Sequence, residues 1–100
     1  MIIIIARAEF EPERLSEIEP ALDAMMRATW DESGCLSYSM AIENRELAIC
    51  TIVERWESEA ALKSHFSSPH MAAFNAAIKG AVRSIDANIY DVTGERPLVL

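Results

Sequence analysis

His65 and His70 are the two side chains of this sequence whose ordinary titration lies near neutral pH. Either could serve as a base or as a hydrogen-bond donor in a pocket, and either could equally be a surface or helix-capping residue. They stand five residues apart with Pro69 between them, so they do not share a helix face as paired metal ligands would. Neither a third histidine nor an adjoining cysteine completes a ligand set, and no metal is expected. Trp56, Tyr38, Phe66, Met71, Phe74 and Tyr90 are each core material alone, but several lining one cavity would suit a flat apolar ligand. Glu54, Glu57 and Glu59 look like paired carboxylates, although Glu57 and Glu59 are more simply first-turn acids favoured by a helix dipole. There is no GxSxG, P-loop, GxGxxG or Cys-His signature, so nothing points to hydrolysis or nucleotide binding.

The chain that must position these groups has 100 residues, 51% of them apolar, which suits one domain with a real core. A domain this small buries a limited share of its surface alone, so association would help. A net charge of −7 with no Lys/Arg cluster argues against nucleic acid. The acids gathered between Glu9 and Glu32 read as a solvated helix face. The Met1–Ile5 run is too short for a signal peptide, and Arg7 and Glu9 follow at once. No stretch is long enough to span a membrane. Cys35 and Cys50 do not make a disulfide framework, so a reduced, cytoplasmic protein is expected.

Ile2 to Phe10 is β-branched and then alternates, giving a first strand with Ala6, Ala8 and Phe10 on one face. Its isoleucines are apolar on both sides, so a partner subunit could supply the second cover. Pro12 suits a first helical turn, and Leu15, Ile18, Leu22, Met25, Met26 and Thr29 recur at helical spacing. Trp30 and Gly34 close this helix, and Pro20 predicts a kink or a late start. The Met and Trp stripe reads as core. Leu36, Tyr38, Met40 and Ile42 mark a second strand, and Leu47 to Trp56 a third, joined as a hairpin at Asn44-Arg45. A two-residue turn puts Leu47, Ile49, Thr51 and Val53 on the face of Tyr38; a three-residue turn puts Ala48, Cys50, Ile52, Glu54 and Trp56 there. Cys35 and Cys50 are not opposed in either register and read as small buried thiols.

Ser58 is a plausible cap for a short helix through Phe66. Ser68-Pro69 starts another, with Met71, Phe74, Ile78 and Val82 as its stripe to about Arg83. Ile85 to Thr93 gives a fourth strand, and Gly94-Glu95-Arg96 a turn. The apolar ending Pro97-Leu98-Val99-Leu100 is expected to pack, for instance on a neighbouring subunit. The order β-α-β-β-α-α-β makes an α+β, ferredoxin-like plan: a four-stranded antiparallel sheet with helices on one face. The bare face, with Ile3 and Ile5, calls for a dimer.

The combination Glu54-x-Trp56-Glu57-Ser58-x-Ala60-x-Leu62-x-x-His65, followed by Ser68-Pro69-His70-Met71-x-x-Phe74, closely resembles the antibiotic biosynthesis monooxygenase family. Within that family the chain looks most like the small bacterial quinol monooxygenases. Glu32-Ser33-Gly34-Cys35-x-x-Tyr38 and Ile78-Lys79-Gly80 carry the same likeness, which covers nearly the whole chain. The resemblance implies a homodimeric α/β-barrel whose sheets pack face to face, with a pocket between sheet and helices in each subunit. It implies oxygenation of a quinol or related phenol by O2, with no cofactor. Trp56 matches a pocket tryptophan of the polyketide-oxidising members, which favours the three-residue turn. Their asparagine and tyrosine are replaced by Ile52 and Leu62 here. The haem-degrading branch has its axial histidine at Asn75 and an asparagine at about Ala6, so haem cleavage is not expected.

On this basis His65 is the first choice for proton acceptor or oxyanion partner, His70 the second, and Trp56 completes the catalytic set. Tyr38, Phe66, Met71, Phe74, Ile52 and Asn75 would contact the substrate. An isomerase of a phosphorylated signalling sugar shares the His65 and Pro69-His70 pattern, and would need Arg7, Arg55 or Arg83 in its pocket. The remaining alternative is a non-catalytic dimeric binding module.

Overall fold

The β-branched run that opens the chain becomes β1 (Ile2–Phe10), an inner strand of the sheet. A computed structural model describes residues 1–100. It places β1 with β2 (Cys35–Asn44), β3 (Ile49–Trp56) and β4 (Val82–Asp91) in one sheet of order β2-β3-β1-β4. β1 runs antiparallel to both β3 and β4, and β2 antiparallel to β3. The helices α1 (Leu15–Trp30), α2 (Glu59–Phe66) and α3 (Pro69–Ile78) cover one face, so the plan is ferredoxin-like. Period-two alternation turns Ala6, Ala8, Phe10, Tyr38, Met40, Cys50, Ile52 and Trp56 toward the helices, where they are buried. Leu15, Ile18, Leu22 and Met25 of α1 close the core over them. No helix is long and apolar enough to cross a membrane.

The hairpin has the register expected of a three-residue turn: Tyr38 pairs with Glu54, Met40 with Ile52 and Ile42 with Cys50. Its connection, residues 45–48, is one residue longer, and a register shift between Ile42 and Asn44 absorbs the extra residue. Ala48 takes a positive φ of 53°, and Asn44 Oδ1 accepts from the Leu47 amide at 3.0 Å. β3 therefore starts at Ile49, after the Leu47 expected from composition. Both cysteines are free thiols, Cys50 buried and Cys35 partly so.

Three expectations are corrected. Pro12–Arg14 forms a 3-10 turn, and α1 then runs unbroken through Pro20, its sixth residue. Pro20 and Ser16, whose carbonyl loses its partner, both face solvent, so water can take the freed acceptor while Ile18 and Leu22 stay packed. Trp30 is not core: it is 52% exposed, and its indole acts through a hydrogen bond instead. α3 stops at Ile78, short of Arg83, because Gly80 takes a φ of +78° and sends Val82 into β4. The terminal Leu98 and Val99 are exposed in the single chain rather than packed on it.

The outer sheet face carries Ile5 beside Val53 and, across β1, Tyr90 beside Ile3; Ile5, Val53 and Tyr90 are all exposed. On the inner face α3 packs on α1 much more than on β4, and Ile85 and Ile89 of β4 stay exposed. That uneven cover opens a cavity.

The corner between α1 and β2 fixes where α2 begins. Gly34 has φ +84°, its carbonyl accepts from the Glu57 amide at 2.8 Å, and a Cβ there would lie 2.6 Å from the Ala61 Cβ. Gly34→Ala is therefore expected to cost at least about 2 kcal/mol through backbone strain and overpacking. Gly94→Ala, which meets nothing within 4 Å, should fall within about 0.5 kcal/mol of the parent. Urea unfolding of both variants measures the difference.

Candidate functional site

Local devices in the sequence hold several of the candidate side chains. β2 is an edge strand, so its outward backbone groups need partners. α1 supplies them: Trp30 Nε1 donates to the Tyr38 carbonyl at 2.7 Å, and Met26 Sδ accepts from the Met40 amide at 3.2 Å. These contacts fix the backbone from which Tyr38 projects inward. Ser58 caps α2 by accepting from the Ala61 amide, and Ser68 caps α3 by accepting from the Met71 amide, each at 3.2 Å. The Ser68 hydroxyl also donates to the His65 carbonyl at 2.7 Å, joining the two helices.

The cavity lies between the sheet and α2–α3 and has a volume of about 450 Å³. That is within the range of small-molecule sites, about 300–1,000 Å³. Tyr38, Phe66, Met71, Phe74, Ile52 and Asn75 all line it, together with Met40, Leu62 and, from β4, Ile85 and Ile89. Tyr38 and Glu54 are its only ionisable lining residues. Trp56, His65 and His70 do not line it. The expectation that Trp56 faces the pocket is therefore corrected. Its indole is fully buried, edge-on to Tyr38 at 6.4 Å, and donates from Nε1 to Glu54 Oε1 at 2.9 Å. His65 sits in the same layer, with ring centroids 5.3 Å from Tyr38 and 5.0 Å from Trp56. His70 borders a separate, nearly apolar groove between α1 and α3.

The two histidines meet at a residue absent from the expected set. Glu32 Oε2, in the turn after α1, accepts from His65 Nδ1 at 2.5 Å and from His70 Nε2 at 2.8 Å. His65 is almost wholly buried, and Glu32 and His70 largely so. A carboxylate accepting both protons assigns Nδ1–H to His65 and Nε2–H to His70. Glu32, His65 and His70 are also the residues that could hold a metal, since one ligand atom from each lies within 4.8 Å of the others. Tetrahedral ligation would separate such atoms by roughly 3.4 Å. The observed 2.5 and 2.8 Å are instead hydrogen-bond lengths to a common oxygen, and an ion would require the carboxylate to swing aside.

Burial dominates the electrostatics. It pushes the Tyr38 phenol far above its ordinary range, with Glu54 and Glu32 adding to the effect, so Tyr38 is an O–H donor and not a base. The Cys50 thiol is pushed up to about 11 by burial, which makes it inert as a nucleophile. Burial also raises Glu54, with Glu32 adding, against the lowering effects of the Trp56 hydrogen bond and His65. Glu32 and Glu54 are thus the residues missed on sequence. Glu54 carried a signal, since the three-residue register turns it to the face of Tyr38. Glu32 stood at the head of the Glu32-Ser33-Gly34-Cys35-x-x-Tyr38 likeness and among the acids read as a solvated face, a reading its burial corrects; nothing tied it to histidines 33 and 38 residues away.

Residues 1–77 match the model of a family described as antibiotic biosynthesis monooxygenase. Rv0793 of Mycobacterium tuberculosis is 34% identical over 77 residues, covering 77% of this chain and 75% of its own. Its solved structure superposes with a TM-score of 0.83 at 29% identity, covering 96% of this chain and 98% of that one. The probable quinol monooxygenase YgiN of Escherichia coli K12 is 30% identical over 66 residues, which span 58% of this chain and 64% of YgiN. A conserved protein from Methanosarcina mazei Go1 has the same fold, with a TM-score of 0.80 at 26% identity and 89% coverage of both chains.

The shared carboxylate makes a graded prediction. Glu32→Ala leaves the buried His65 N–H without its acceptor and should cost about 1–3 kcal/mol. Glu32→Gln keeps one oxygen where both bonds converge and should lose clearly less. Thermal unfolding of the two variants at one pH tests the order.

Proposed function

The chain belongs to the antibiotic biosynthesis monooxygenase family, and from that premise we propose that it oxidises a quinol or related phenol with O2, using no metal or flavin. The observation that carries this assignment is the composition of the cavity wall. Aromatic, aliphatic and thioether groups surround a single carboxylate and a single phenol, with no lysine or arginine. Such a wall suits a flat, electron-rich aromatic and excludes water from its reacting edge. The reaction balances as hydroquinone plus O2 giving hydroxyquinone plus water. The ionised quinol passes an electron to O2, the two radicals combine at a ring carbon, and the peroxide loses water.

In this scheme the chain supplies desolvation, orientation and proton handling. Phe66, Met71, Phe74 and Ile52 hold the ring plane, while the Tyr38 hydroxyl and the Asn75 amide can donate to an oxygen that gains charge. His65, bonded through Nδ1 to Glu32, backs the Tyr38 and Trp56 layer and positions it from outside the cavity, and His70 holds the other side of the same carboxylate. YgiN, named a quinol monooxygenase, supports the substrate class.

An isomerase acting on a phosphorylated sugar finds less support. Arg7 pairs with Glu43 at 2.9 Å, Arg83 with Glu11 at 3.0 Å, and Arg55 lies toward Glu95 at 4.0 Å, so none reaches the cavity. A binding module without catalysis is disfavoured by the buried, doubly bonded histidine cluster behind the wall. We also propose that a second copy of the chain covers the outer face at Ile5, Val53 and Tyr90, giving a homodimer. Sedimentation should then show a dimer that Val53→Asp converts to monomer; a monomeric parent would overturn this.

A screen of reduced naphthoquinones and benzoquinones by oxygen electrode tests the activity. Oxygen uptake with at least one quinol is expected, falling about 100-fold or more in His65→Ala while the circular dichroism spectrum is retained. Unchanged uptake in that variant sinks the role given to His65. Turnover of a phosphorylated sugar without O2 would replace the oxidation with isomerisation.

A further inference from the structure

The cavity raises a question of proton transfer that its histidines do not answer. A phenolic hydroxyl inside it can reach neither His65 nor His70, because neither lines the space. Tyr38 is held in its protonated form by burial. The remaining ionisable group on the wall is Glu54. Its Oε1 accepts from Trp56 Nε1 at 2.9 Å, which fixes the carboxylate plane. Its Oε2 has no partner within the chain and is not sealed in the core. We infer that Glu54 is the catalytic base, taking the hydroxyl proton of a phenolic substrate on Oε2 while Trp56 holds Oε1. This rests on the assignment of a phenol to the cavity made above.

The step is a proton transfer: the phenol O–H bond breaks, the carboxyl O–H bond forms, and the pair changes from carboxylate plus phenol to carboxylic acid plus phenolate. One negative charge is present before and after, so the apolar wall never has to hold two. That matters in a site where desolvation penalises every added charge. The groups around Glu54 set its basicity. Trp56 on β3 donates to it and His65 on α2 favours its ionised form; Glu32 in the α1–β2 turn opposes ionisation. Tyr38 and Cys35 on β2 are neutral neighbours whose own ionisation Glu54 disfavours. α3 and β4 bring no ionisable group to the cavity, their only polar side chains there being the amides of Asn75 and Asn88, and β1 brings only Ile4 and Ala6. Burial raises the carboxyl above its ordinary range, toward the match with a weak acid that general-base catalysis favours.

The test is the pH profile of quinol oxidation in the parent protein, Glu54→Gln and Trp56→Phe. Parent kcat should rise with pH along a limb above the ordinary carboxylate range, because the base works only when ionised. Glu54→Gln keeps an oxygen for the Trp56 N–H; it should lose the limb and about 10²–10⁴-fold in kcat, with KM little changed. Its deficit should shrink at alkaline pH, where the quinol ionises unaided. Trp56→Phe removes a donor that favours the carboxylate, so its limb should move to higher pH. A Glu54→Gln variant that keeps parental kcat, keeps the limb, or shows the same deficit at every pH overturns the inference. If the parent oxidises no quinol, the oxidation assignment fails separately, and calorimetric binding of naphthol then decides the role of Glu54. Affinity that falls as the parent is acidified, but is independent of pH in Glu54→Gln, supports it. Parental affinity independent of pH, or no binding, overturns it.

Discussion

A single carboxylate oxygen, shared between two imidazole N–H groups, ties the second half of this chain to the first. α2 and α3 have 8 and 10 residues, below the roughly 12–15 at which isolated helices become even marginal in water. Their hydroxyl caps begin them, but caps do not say where a helix lies. Glu32 does: it draws His65 of α2 and His70 of α3 to one point beside the α1–β2 corner. Gly34, two residues on, lets α2 approach that corner closely. Because the cluster is largely buried, its hydrogen bonds are strong and the loss of either partner is costly.

The same tie decides the chemistry of the wall. His65, held against Glu32, stacks beside Tyr38 and Trp56 and so forms a layer behind the cavity. Trp56 then turns its N–H to Glu54, and Glu54 is the group left to face the ligand space with a charge. The roles divide by depth. In the proposed reaction aromatic and thioether side chains hold the plane of the ligand, one carboxylate touches it, and the histidines lie behind. Leaning α3 on α1 leaves β4 thinly covered, which gives the cavity its room.

Much of this was legible in the residues. Alternation marked all four strands, and Ser58 and Ser68-Pro69 marked the start of both short helices to the residue. The six side chains expected to contact substrate do line one cavity. Trp56 and Trp30 were misplaced for a common reason. An indole is apolar enough to read as wall or core, while its N–H obeys whichever acceptor the fold presents, the Glu54 carboxylate or the Tyr38 carbonyl. The end of α3 was overrun because Ala81 and Val82 continue its apolar spacing, and only the positive φ of Gly80 breaks it.

The sequence by itself determined the element order, the alternation along the strands and the likeness to a family, because these follow from local periodicity, capping chemistry and contiguous motifs. It left the hairpin register open until that likeness was used, since a turn one residue longer exchanges the two faces of β3. The tertiary structure alone decided that two histidines on different helices share Glu32, that Trp56 lies behind the wall and that Glu54 lies on it. Those facts depend on contacts between residues far apart in the chain, whose distances are set by how the helices settle on the sheet. No local pattern encodes them.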